Sequence, residues 1–192
     1  MEHVIAPLAT AEIGATYNQY RGPGGAERLA NLGHYLALRE RADVLVVGEA
    51  GGYQGARWSG IAFTSERDLA RYGPPFVATS DRYEGWSEPS GTIVHRVLRE
   101  LDAELRVVLW NTCPTHPHQP GRPLSNRRPT AAEIAGGLPY LERLIDWLQP
   151  GTIVAAGRVS QSVLPAAQPV RHPSHGGARE FAEGLTDALT QG

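Results

Sequence analysis

Cysteine occurs once in the 192 residues, at Cys113. An intrachain disulfide is therefore impossible, and so is a four-cysteine zinc or iron–sulfur centre. Lysine is absent: all 18 basic residues are arginines. A nucleoside-triphosphate loop, which needs Lys followed by Ser or Thr, is excluded with it. No apolar stretch is long enough to span a bilayer. The opening MEHVIAPLAT lacks a basic start followed by an apolar run, so secretion is not expected. Excess charge is missing too: the formal net charge is −2, which gives no overall support for nucleic-acid binding.

The distribution of charge says more than its sum. Between Asn111 and Ala132 there is no acid, but there are Arg122, Arg127 and Arg128. From Gly151 to Arg179 there is again no acid, but Arg158, Arg171 and Arg179 are present. Two readings stay open at this point: a basic face on a near-neutral protein, or an ordinary solvated surface.

The apolar pattern predicts alternating strands and helices. DVLVVG, opening at Asp43, and RVVLWN, a strand over Leu105 to Trp110, read as buried parallel strands, as does TIVAAG. QPVRH reads as a short fourth strand that His172 ends and Pro173 closes. Helices are expected over Ala26–Arg41, from Thr64 or Ser65, over SGTIVHRVLREL, from Thr130 to Leu148, over Val159–Leu164 and over Ala178–Leu189. Thr130 followed by Glu133 spells a capping box, and Pro150-Gly151 a stop. The first 23 residues read as an irregular arm or short helix. The order predicts one α/β domain over residues 1–192, with a parallel sheet between helices.

Ligands of such sheets bind outside the carboxyl ends of the strands. The unusual polar residues cluster there. Glu49 follows the first strand and could orient or activate a water, or serve as a cap or ion-pair partner. Phe63 could stack on a planar base or simply pack in the core. Asn111 offers a donor and an acceptor suited to a pyrimidine edge, or caps a turn. His172 could donate to a developing oxyanion, and with Ser174 and Glu49 it forms a conceivable triad, though no nucleophile-elbow sequence surrounds the serine. His116 and His118 lack a neighbouring acid or third imidazole, so no metal site is expected.

In this order, three segments resemble the uracil-DNA glycosylase superfamily. VVGEAGGYQGARWSGIAFTSE is similar to its first motif, GEAPG in the iron–sulfur branches. WNTCPTHPH is similar to the segment whose asparagine reads the base, and RHPSHGG to the closing His-Pro-Ser motif. The resemblance spans about Val44 to Gly177. It implies a three-layer α/β/α sandwich around a four-stranded parallel sheet. It also implies hydrolysis of the bond between uracil, or a related deaminated base, and deoxyribose in DNA, without a cofactor. Glu49 then falls in the water-activating motif and His172 where negative charge on the base is stabilised. Gly48, Ala50, Phe63 and Asn111 would form the base pocket. Ser174 and His175, with Arg127, Arg128 and Arg158, would contact DNA. The chain is expected in the cytoplasm, acting on chromosomal DNA, with no membrane partner. Three departures stand out: Gly51 replaces the motif proline, the cluster cysteines are missing, and His175-Gly176-Gly177 replaces an apolar wedge. Two other functions keep the same pocket: hydrolysis of a free nucleoside or other small molecule, and DNA binding without catalysis.

Overall fold

The computed structural model describes residues 1–174 and 176–191. Four parallel strands form the central sheet: β2 (Val44–Ala50), β3 (Val107–Cys113), β5 (Thr152–Ala156) and β6 (Gln168–Val170). Their order across the sheet is β3-β2-β5-β6. The valine-rich strands are buried on both faces, which is why they read as continuous apolar runs rather than alternating ones.

The helices are α1 (Glu2–Ile5), α2 (Gly25–Ala37), α3 (Ala56–Ser59), α4 (Glu66–Tyr72), α5 (Pro89–Glu100), α6 (Ala131–Leu148), α7 (Arg158–Val163) and α8 (Ala178–Gln191). They flank the sheet as an α/β/α three-layer sandwich. The chain moves from β2 to β3 through α5, then crosses back to β5 through α6. Right-handed crossovers in opposite directions put these helices on opposite faces. The loop leaving β2 therefore departs to the other side from those leaving its neighbours β3 and β5. A crevice opens at such a divergence, directly above Gly48 and Glu49.

The expected capping box is present. Thr130 N–H donates to Glu133 Oε2 at 2.8 Å, and Glu133 N–H donates to Thr130 Oγ1 at 3.2 Å. At the start of α4 the cap is Ser65, whose N–H and hydroxyl both donate to Asp68 Oδ2. Other boundaries move. The helix expected to reach Arg41 ends at Ala37. β3 runs three residues past Trp110, so Asn111 lies within the strand rather than at its end. β6 stops at Val170, and His172 lies two residues beyond it.

The arm is more ordered than its composition predicts. Val4 and Leu8 are fully buried. Thr16–Tyr17 forms β1, which pairs antiparallel with β4 (His116–Pro117) in the long loop after β3. Gln19 Nε2 donates to Pro114 O at 2.7 Å, and Asn18 Nδ2 to Leu8 O and Ala11 O. The arm thus straps the loop that follows Asn111.

Helix α6 lies unusually close to β3. A side chain at Gly137 would collide with Thr112 O, and would stand 3.0 Å from Pro114 Cδ and 3.1 Å from Cys113 Cα. Gly137→Ala sets two effects against each other. Helix propensity favours alanine by about 1 kcal/mol, while overpacking against immovable backbone costs about 1–3 kcal/mol. Overpacking is expected to win, lowering the urea midpoint; a midpoint at or above wild type would show that α6 can move off the sheet without cost.

Candidate functional site

Parallel register places Gly48 directly beside Asn111, and Ala50 beside Cys113. At Gly48 the absent side chain matters. A Cβ there would strike the Phe63 ring and come within 2.8 Å of Asn111 Oδ1. Phe63 itself adopts a left-handed backbone conformation, with φ of 52°, which a residue of this bulk rarely takes. The turn that delivers the ring is held from below. Ser59 Oγ–H donates to Thr64 O at 2.6 Å, and Ser59 Oγ accepts Ile61 N–H at 3.0 Å. The ring is thereby laid across the strand ends, next to the Asn111 amide.

Above these groups opens a cavity of about 490 Å³. Glu49, Ala50, Phe63, Asn111, Arg127, Arg128, Arg158, His172 and Ser174 all line it. Nine of the residues singled out from the sequence are thus brought together from four separate stretches of chain. Gly48 lies beneath rather than on the wall. His175 lies outside the described residues.

Glu49 is half-buried, and its main-chain carbonyl accepts the Thr112 hydroxyl at 2.6 Å. Burial pushes its carboxyl up from the ordinary glutamate range, and the Arg128 guanidinium partly offsets this. His172 follows β6 and packs its ring against Phe63, centroid to centroid 5.6 Å. The Ser174 N–H donates to His172 Nδ1 at 3.2 Å, and the Ser174 hydroxyl lies 2.8 Å from the same nitrogen. A peptide N–H can only donate, so Nδ1 is an acceptor and the neutral ring carries its proton on Nε2. Gly157, at φ of 95°, passes under this ring; a Cβ there would stand 3.2 Å from His172 Cβ.

The two adjacent arginines differ. Arg128 is exposed. Arg127 is half-buried and grips Glu133 with both terminal nitrogens, at 2.6 and 2.7 Å, while its Nε donates to His118 O. Glu133 also accepts from Ala15 N–H and Thr130 N–H. Hydrogen bonds from Arg127 hold its carboxyl down, to about 2. One buried carboxylate therefore joins the arm, the arginine loop and the start of α6.

His116 is also a framework residue. Its Nδ1 accepts from Arg57 at 3.1 Å and its Nε2 donates to Ser125 O at 2.9 Å. Burial pushes it down to about 4, so it is neutral at ordinary pH.

The sequence reading missed Glu88, Ser90 and Asn126, which line the same cavity. The only trace of Glu88 is its place before Pro89 at the start of α5. Asn126 Oδ1 accepts Tyr53 N–H at 2.9 Å, tying the arginine loop to the glycine-rich loop after β2. Two hollows of about 430 Å³ adjoin the cavity. One shares Glu88, Ser90, Asn126 and Ser174 with it; the other shares Gly157, Arg158, His172 and Ser174 and adds Arg171. Ser174 stands on the wall of all three.

A sequence model of the uracil DNA glycosylase superfamily matches residues 37–187. No curated protein sequence matches the chain. Among solved structures, wild-type SMUG2 of Pedobacter heparinus superposes with a TM-score of 0.69 at 13% identity, covering 94% of this chain and 90% of that one. At that identity the likeness is one of fold. The chain belongs to the uracil-DNA glycosylase superfamily.

The Arg127–Glu133 pair is a stability determinant with a definite pH signature. Glu133→Gln leaves the half-buried Arg127 without its anion and is expected to cost about 2–3 kcal/mol. The carboxyl is held low in the folded state. The pair's contribution is therefore complete above the ordinary glutamate value and lost as pH falls from there towards about 2. Urea titrations at pH 7 and pH 3 should show the gap between wild type and variant narrowing in acid. An equal gap at both pH values would place the stabilisation elsewhere.

Proposed function

We propose, from that membership and from the contents of the cavity, that the protein hydrolyses the N-glycosidic bond of uracil or a related deaminated base in DNA. The observation that carries this reading is the convergence of Glu49, Phe63, Asn111 and His172 on one cavity at the strand ends. Each supplies a different need of the reaction. Phe63 offers an aromatic face for a base taken out of the stack, and the Asn111 amide a donor and an acceptor for its edge. Glu49 accepts a proton from water as the water oxygen bonds to C1′. The C1′–N bond breaks, and its electron pair leaves with the base. His172, protonated on Nε2, meets the negative charge that grows on the base.

Polymeric DNA is favoured over a free nucleoside by the surroundings of the cavity. Two hollows continue from it on either side, and Arg128 and Arg158 stand on its rim. A free nucleoside needs neither. The arginines would hold phosphates without reading sequence.

Two expectations test the chemistry and the footprint separately. In single-turnover release of uracil from an oligonucleotide, Glu49→Gln and His172→Ala should each slow the chemical step by about 100- to 1,000-fold, with DNA affinity little changed. Glu49 must be ionised to accept the proton. The wild-type rate should therefore fall as pH drops through a value above the ordinary glutamate range of about 4.3. Turnover that survives both substitutions would reject this site, and a wild type inactive on every damaged base would point to DNA binding without catalysis. In binding, Arg128→Ala should lower the slope of log affinity against log salt by about 0.9 on duplex DNA, one phosphate contact. An unchanged slope removes Arg128 from the footprint. Arg127→Ala is a poorer probe, because it also strips Glu133 of its partner.

A further inference from the structure

Glu88 is a carboxyl group placed where a charge is hard to keep. Oε2 is sealed from solvent and has no hydrogen-bond partner among the described residues. Native structures rarely leave such an atom unpartnered. Three glycines make room for the group. A side chain at Gly52 would strike Oε1, one at Gly55 would strike Oε2 and stand 2.6 Å from Cδ, and one at Gly91 would stand 3.3 Å from Oε2. Oε1 is the oxygen turned towards Gly52, itself a wall of the central cavity, and Oε2 is the sealed one.

The position of Glu88 is equally specific. With Ser90, Asn126 and Ser174 it forms the wall common to the central cavity and one of the adjoining hollows. If one nucleotide occupies the cavity and its neighbour the hollow, the phosphodiester between them must cross this wall. We propose that Glu88 is a second substrate-contacting carboxyl group, which as a neutral acid donates a hydrogen bond from Oε1 to that phosphodiester. The inference rests on the reading of the substrate as DNA.

Neutrality is favoured by the surroundings. Burial, and then the negative charge of Asp68 on α4, push the Glu88 carboxyl up to about 7. Across the cavity it faces Glu49 at the end of β2, Arg127 and Arg128 before α6, Arg158 on α7 and His172 after β6. Among the described residues, no ion pair joins Glu88 to any of these arginines. Within its own helix, His95 is pushed down to about 4, chiefly by burial, and stays neutral above that. Once ionised, Glu88 would present an anion to a phosphate and lose its donor. Protonation therefore supports binding below about pH 7, and binding weakens as pH rises through that value.

The test is DNA affinity against pH, followed by fluorescence anisotropy on a uracil-containing single-stranded oligonucleotide at fixed ionic strength. Uracil release is measured on the same samples. Wild-type affinity should fall about tenfold between pH 6 and pH 8, as for one group titrating near 7. Glu88→Gln keeps a neutral donor of the same shape and should bind with wild-type low-pH affinity across the range. Glu88→Ala removes the donor and should be both weak and flat. Wild-type affinity that is flat with pH overturns the proposal, whichever variants fold. So does a wild-type slope that persists in Glu88→Gln, which would assign the titration to Glu49 or His172. If uracil release is normal in either case, the phosphate contact alone has failed. If wild type binds as expected but releases no base, the glycosylase reading has failed and the phosphate contact stands. Absence of DNA binding at every pH overturns both.

Discussion

Much of the site depends on an empty position. At residue 48 the sheet passes beneath an aromatic ring and beside an amide, with no space for even a methyl group. The strand carries this gap at its carboxyl end, where pairing with β5 has stopped at Val47 and pairing with β3 continues through Gly48 and Asn111. Phe63 is both at once: a buried member of the main apolar core and a ring on the wall of the cavity. Its strained backbone is tolerated because the turn around it is fixed by the buried Ser59 hydroxyl. The same gap fixes the position of Asn111 relative to the ring.

Beyond that ring, the other walls come from loops that carry little rigidity alone. They are held by single polar side chains, each tying several segments. Glu133 joins the arm, the arginine loop and α6. Glu66 on α4 accepts the N–H groups of Thr79, Ser80 and Trp86, and so fixes the connection between α4 and α5. Asn31 on α2 donates to Ser59 O and Val77 O and accepts from Val77 N–H. Buried hubs of this kind order loops without an apolar core of their own, because each backbone group withdrawn from water finds a charged or amide partner.

What the sequence reveals follows the range of the physics involved. Thr130 and Glu133 are legible as a cap because the interaction closes within one turn. Val-rich strands are legible because burial on both faces demands them. The reach of β3 to Cys113 is hidden, since Asn111 and Thr112 are polar and look like a loop; Thr112 is paid for by the Glu49 carbonyl across the sheet. The pairing of Thr16–Tyr17 with His116–Pro117 is hidden by a separation of about a hundred residues. Arg127 resembles a phosphate contact in sequence, and only the fold shows Glu133 already in its grasp. Glu88 gives almost no local signal beyond its place before Pro89, because the room for it is made by glycines in the loop after β2 and by Gly91 on its own helix.

The opposite edge of the sheet shows another use of a single polar atom. β3 is an outer strand, but its Leu109 N–H is not left open: it donates to the hydroxyl of the fully buried Tyr35 at 2.9 Å. A phenol standing where a neighbouring strand's carbonyl would sit ends the ladder from within the molecule. A foreign strand pairing at Leu109 would first have to displace this hydroxyl. At this point the edge is blunted by one tyrosine rather than by surface charge.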